Sequence, residues 1–393
     1  MMKSLIRKDG ELPMEKNYNR RHYNAGMRAF FLSGFCAIAS GIVVSILQDL
    51  YQFSYGFSGT LLSMMNIGNM AALILSGVLP QMTGERTTTL VFCSGYFTGY
   101  LLMALTGNPV FLLLAFLLAG AAKGCTANKC AILTGSNAPD RPKALSLMNA
   151  WFSLGALLCP FVISILRKRD DHLAMAGVSA AGLVLWLVFL RAGIPEQFDT
   201  AGNEKTAGGT SFLRNRAFWL LAALVFCQNA SEYVVNGWIV TYYKGENILS
   251  GTAAVYTVTI QWIFILISRL LLAFGPKIRK LYRVISLMGV GLTIMYLLLL
   301  KMQSAVPALI ALSLFSFCIA GVYPLATACV GEMTSSASLG VLLSIGATGG
   351  IIFPWIVGMV ADRSGLRAGM AVNLIPCVGI IILPMIIEKR RFT

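Results

Sequence analysis

Charge is what this 393-residue chain has least of: Asp, Glu, Lys and Arg make up 12% of it, and only two residues are histidine. A soluble domain ordinarily carries about a quarter charged residues, so this composition cannot cover an ordinary solvated surface. Hydrophobic residues fill 57% of the chain and the mean hydropathy is +0.74. No soluble core hides that much apolar area, whereas a bilayer accepts helices of roughly 20 apolar residues each. The composition therefore excludes a soluble enzyme and a nucleic-acid-binding domain, and specifies an integral membrane protein.

Other absences narrow the chemistry. The nine cysteines, Cys36, Cys93, Cys125, Cys130, Cys159, Cys227, Cys318, Cys329 and Cys377, lie in apolar runs without CxxC spacing, which reads as packing rather than disulfides or metal. His22 and His172 are far apart and form no ligand pattern, so neither a metal nor any other cofactor is expected. There is no GxxxxGK[ST] phosphate loop, so any work must draw on an ion or solute gradient. Nucleophile elbows and paired catalytic carboxylates are missing too, which argues against an enzyme. The polar, basic first 25 or so residues are too hydrophilic for a cleaved secretory signal and read as a cytosolic tail.

What is present is a series of apolar runs. Twelve fall at 26–48, 58–80, 88–106, 109–134, 143–166, 173–193, 217–241, 251–275, 281–300, 304–330, 336–360 and 368–388. This predicts an all-α protein: tail 1–25, six-helix bundle 26–193, Gly-rich cytosolic linker 194–216, second six-helix bundle 217–388 and tail 389–393. Threading the spans places 21 Lys and Arg on the side of the N-terminus and 7 on the other. The positive-inside rule then puts both termini in the cytosol, and the short loops point to a bacterial inner membrane. The net charge of +15 is thereby topological, attracted to anionic lipid, and needs no nucleic acid.

The halves repeat. The fifth segment holds Gly155-Ala156-Leu157-Leu158-Cys159-Pro160 and the eleventh Gly349-Gly350-Ile351-Ile352-Phe353-Pro354, with Gly five residues before Pro in both. Gly77 to Gly84, ahead of Glu85-Arg86, is echoed by Ser268 to Gly275 ahead of Lys277. Each pairing matches segment n with n+6, as parallel repeats require.

On these residues the chain resembles the major facilitator superfamily. Gly77-Val78-Leu79-Pro80-Gln81-Met82-Thr83-Gly84-Glu85-Arg86 is similar to that family's cytosolic signature between helices 2 and 3, except for Gln81 where an Asp is usual. Asn128, the Asn149…Phe152…Gly155…Pro160 pattern, Trp238 and Gly321-Val322-Tyr323-Pro324 look most like the fucose-permease-like branch. The acids of that branch in helices 1 and 4 are replaced here by Gly41 and Gly124, so fucose is not implied as substrate. The resemblance implies alternating access by two rocking bundles. The signature gives Gly77, Gly84 and Arg86 conformational roles. Small residues place Gly155 and Gly349 at the interface between the halves, with Pro160 and Pro354 allowing a bend five residues on, and Arg269, at the cytosolic end of segment eight, is expected to hold the inner face.

Ionisable groups in hydrocarbon cost several kcal/mol unless paired or hydrated, so each is a candidate with a structural alternative. Lys123, mid-span in segment four, reads as an anchor for a substrate anion, or as a lysine tied to a backbone carbonyl or to Glu232. Lys129 reads as a snorkelling interface lysine or a second site cation. Gln228, Glu232 and Asn236 recur at i, i+4 and i+8 with Asn229 at the flank, a polar stripe on one side of segment seven. Glu232 reads as a proton carrier, a fixed counter-ion of Lys123, or a substrate contact. Asn128, Asn149, Trp238 and Tyr323 complete the expected substrate site, the two aromatics standing equally for ordinary packing. Ser146, Ser153, Ser316, Thr327, Ser344 and Thr348 read first as satisfied helix hydroxyls.

The sequence therefore predicts a twelve-helix secondary transporter for a small polar organic solute, anions favoured. Its expected partners are that solute, membrane lipid and a coupling ion such as the proton, and the chain is expected to be a monomer. Proton-driven efflux of amphipathic compounds and a non-transporting receptor on the same fold are the alternatives.

Overall fold

The computed structural model describes residues 19–139, 141–194, 214–274, 278, 280–331 and 336–391. Among them the regular structure is helical. The long helices are α1 (Arg20–Tyr51), α2 (Tyr55–Val78), α4 (Glu85–Leu105), α5 (Pro109–Ser136), α6 (Arg141–Arg167) and α7 (Asp171–Ala192) in the first half. The second half has α8 (Arg216–Gly245), α9 (Gly251–Phe274), α10 (Leu281–Lys301), α11 (Ala305–Gly331), α12 (Ser336–Ser364) and α14 (Leu374–Arg391). Two short helices, α3 (Pro80–Thr83) and α13 (Leu366–Ala371), sit at helix junctions.

Among the described residues twelve spans are long and apolar enough to cross a bilayer, one for each predicted segment. The helices begin where the sequence offers a cap. Asn19 accepts from the backbone N–H groups of Arg21 and His22, starting α1 six residues before the apolar run, and Ser54, Asn108, Asp170 and Asn215 likewise open α2, α5, α7 and α8. Residues 1–18 of the predicted N-terminal tail and most of the linker lie outside the described residues, while 19–25 already belong to the cap and first turns of α1.

Close packing within each half follows the repeat. A methyl group on Gly155 would overlap the Phe31 carbonyl of α1, and one on Gly349 would overlap the Phe226 carbonyl of α8. The equivalent pairs α1/α6 and α8/α12 therefore meet backbone to backbone, as small residues allow in lipid. This corrects one expectation: Gly155 and Gly349 do not lie between the halves but hold each half together.

The halves meet through α2 against α12, α6 against α9, and α1 against α8, pairs exchanged by the pseudo-twofold axis. Here other glycines make the approach, a methyl on Gly59 falling 2.7 Å from the Pro354 carbonyl oxygen. Both described chain ends lie on one membrane face, the terminal face, and the cross-half hydrogen bonds lie towards the other, far face. There the Asp362 carboxylate accepts from Tyr55 N and Gly56 N, each at 2.7 Å, and Thr241 donates to Gln48 at 3.2 Å. Asp49 bridges Lys244 of one half and Arg167 of the other. Deeper in, Ser63 donates to the Ile351 carbonyl and Asn66 to the Gly350 carbonyl, both at 2.6 Å. Among the described residues, no cross-half hydrogen bond lies on the terminal side of Lys123. The outward rows, such as Ile74, Val91, Leu105, Ile165, Leu287 and Ile310, are exposed apolar side chains that suit lipid.

Candidate functional site

At the deepest cross-half contact the helices enclose a cavity of about 30 Å³. Its polar lining is Ser40 of α1, Asn66 of α2, Lys123 of α5, and Tyr233 and Asn236 of α8; the rest is Ala37, Ile38, Leu62, Met65 and Gly237. Four helices from both halves converge here because each offers a small or polar residue at mid-span. Gly41 lies against the Asn236 carbonyl, and Gly237 against Leu62. Tyr233, Asn236 and Gly237 stand at i, i+3 and i+4, one face of α8.

Lys123 crosses between the halves. Its Nζ donates to the Tyr233 hydroxyl at 3.2 Å and sits 4.6 Å from that ring's centroid. Of the alternatives open in the sequence, pairing with Glu232 is not what the structure shows: among the described residues no ion pair joins them. Glu232 instead accepts from Gln228 Nε2 at 2.6 Å, one helical turn back along the predicted stripe. Asn236 accepts from Gln261 Nε2 of α9 at 2.8 Å. The buried Gln228 Oε1, Gln261 Oε1 and Trp262 Nε1 have no protein partner, so water or solute has polar atoms to meet beside the stripe. Tyr323 of α11 is half-buried within electrostatic reach of Tyr233, Glu232 and Arg269.

Several expected residues lie elsewhere. Trp238 is fully buried and donates to the Pro354 carbonyl at 3.1 Å, beside Tyr55 near the far face. It stands two residues, or 200°, from Asn236, so it faces away from the cavity. Asn128 donates to Ser76 Oγ at 2.9 Å, inside the first half. Asn149 is exposed and bonds the Leu145 carbonyl of its own helix. It lies three residues towards the terminal face from Phe152, which packs across the halves on Trp262, and it is not among the residues that line the cavity. Asn229 faces Gly346 of α12. The side chains of Ser146 and Thr327 lie outside the description.

Lys129 is the main correction among the charges. It does not snorkel: it is 1% exposed, ion-paired to Glu85 of α4, and donates to the Ser76 carbonyl at 2.9 Å. Beside the signature in which Gln81 replaces the usual Asp, this buried charge pair ties α5 to α4 and, through the Ser76 carbonyl, to α2 within one half. Gly84, with φ of 81°, turns the chain just before Glu85, while Gly77 has open space around it. Arg86 lines a surface concavity of about 910 Å³ with Gln81, Thr83 and Thr87, remote from the central cavity. Arg269 does not extend to the terminal face alone; it lies over Trp262, 5.9 Å from the ring centroid.

Tyr233 and Asn66 were missed by the sequence reading. The stripe was chosen by polar residues at i+4 spacing, which passes over a tyrosine one position along. Asn66 was legible, being an amide amid apolar residues of the second segment.

The comparisons with known proteins agree with this architecture. Residues 26–348 match the profile of the Major Facilitator Superfamily. Among solved structures, the nucleoside transporter NupG is similar with a TM-score of 0.76 and 14% identity, over 94% of this chain and 99% of that one. A bacterial homolog of the human lysosomal transporter Spinster, in an inward-facing and occupied conformation, is similar with a TM-score of 0.74 and 12% identity, over 95% and 97%. At these identities the likeness is one of fold. No curated protein sequence gives a significant match.

Proposed function

The chain belongs to the Major Facilitator Superfamily, and on that premise we propose that it is a secondary transporter of a small organic anion, working by alternating access. The observation that carries the anionic reading is the lining of the central cavity, which holds one cation, Lys123, and no carboxylate. A lysine at the junction of the two bundles, held among the described residues by a phenol and a ring face alone, has unused capacity for a charge-assisted hydrogen bond.

Glu232 is the proposed proton carrier. It is half-buried in α8, held by one amide donor, and lies beside the cavity-lining face. With the termini in the cytosol, as the basic residues indicate, closure at the far face makes this an inward-facing arrangement of a bacterial inner-membrane protein. The branch likeness to fucose permeases rests on the motifs quoted above.

A thermal-shift screen of the purified protein against carboxylates, phosphates, sugars, hydrophobic cations and a neutral nucleoside tests the reading, because a ligand at 100 times its Kd stabilises by about 2.7 kcal/mol. An anion that stabilises the wild type but not Lys123→Ala is the expected result. Stabilisation by a neutral solute alone, unchanged in Lys123→Ala, overturns it.

A further inference from the structure

The cavity beside Lys123 encloses about 30 Å³, room on the scale of one water molecule and too little for an organic solute. What fills the place of an anionic oxygen is Tyr233: its hydroxyl accepts from Lys123 at 3.2 Å, with the ring beneath the ammonium. An ammonium facing no carboxylate takes the best acceptor offered, and a neutral phenol is a weaker one than a carboxylate or phosphate oxygen.

Tyr233 is also mechanically placed. Its ring rests on Gly350 of α12, where a methyl group would fall 2.9 Å from the ring. The carbonyl of that same glycine accepts from Asn66 across the halves at 2.6 Å. Moving the tyrosine thus disturbs the residue that carries a second cross-half bond.

We propose that the Tyr233 hydroxyl is a built-in stand-in for the solute's anionic oxygen at Lys123, and that binding of a carboxylate or phosphate exchanges the phenol for the anion and loosens the halves. Tyr233 is thereby a specificity-determining residue: a solute without an anionic oxygen does not displace it. The inference rests on the anion-binding reading of Lys123.

Two measurements on the full chain in lipid nanodiscs test it. The first needs no solute. Spin labels at positions 169 and 301, on the far face of opposite halves, report the ratio of closed to separated molecules. Tyr233→Phe and Lys123→Met should each lower that ratio about tenfold, and the double variant no further, because both remove one contact. Additive losses, or none, overturn the bridge. The second is titration with succinate, gluconate and inorganic phosphate. Tyr233→Phe should bind at least one of them about tenfold more tightly than wild type, its competitor having gone, while Lys123→Met binds none. Equal or weaker binding by Tyr233→Phe overturns the exchange yet leaves the anion site standing. Absence of binding to both wild type and Tyr233→Phe overturns the exchange together with the anion reading.

Discussion

Asn66 of α2 donates its amide to the Gly350 carbonyl of α12 at 2.6 Å, and that carbonyl is available because Pro354, four residues on, has no N–H to offer it. A proline that reads as a source of flexibility in one helix is therefore an acceptor for the other half of the molecule. The bond joins the bundles at cavity depth, where the proposed rocking would break it. Asn66→Leu should lower the closed-to-separated ratio at the far face several-fold, matching about 1 kcal/mol. Pro354→Ala, which supplies a competing N–H, should shift it the same way. Inter-half spin-label distances check both, and an unchanged distribution in Asn66→Leu counts against a gating role for this bond.

The far-face closure depends further on Asp362, whose two carboxylate oxygens cap the first turn of α2 from the opposite half. Asp362→Ala should lose about 0.5–2 kcal/mol of closure, as helix caps do. The readout is faster labelling of Ser40→Cys by a membrane-impermeant thiol reagent added on the far side. Gly56→Ala should act alike, since its methyl would fall 2.5 Å from Asp362 Oδ2.

Lys129 and Glu85 form a pair in which the lysine is almost wholly removed from solvent. Removing either partner strands the other, so Lys129→Met and Glu85→Gln should each cost about 3–5 kcal/mol of stability. The double variant should recover most of that loss. Thermal unfolding in detergent decides, and additive losses show that the two groups act separately.

Two glycines of the repeat pattern should behave oppositely. Gly155→Ala pushes a methyl into the α1 backbone and should destabilise the first half by about 1–3 kcal/mol. Gly77→Ala meets nothing within 4 Å and should be neutral or stabilising by about 0.5–1 kcal/mol. Expression level and unfolding temperature of the two variants give the comparison.

Glu232→Gln keeps the amide-sized shape and its hydrogen bond to Gln228 but cannot titrate. In proteoliposomes the variant should retain solute exchange and lose the response of net uptake to an imposed pH gradient. A wild type indifferent to that gradient removes the proton from the mechanism and leaves Glu232 as a fixed polar group.

The sequence by itself determined the twelve spans, their division into two halves and the parallel repeat, because hydrocarbon leaves the backbone no choice but helix and apolar length sets where each begins and ends. It also marked Lys123, Glu232 and Asn236, since a polar group mid-span has to be explained by something. Only the tertiary structure decided their partners. Lys123 meets Tyr233 rather than Glu232, Lys129 meets Glu85 across 44 residues, and Trp238 turns from a supposed cavity wall into packing against Pro354. The reason is geometric: spacing along one helix fixes which residues share a face, but which face meets which neighbour depends on how the helices are rotated and crossed, and that is settled by contacts among residues far apart in the chain.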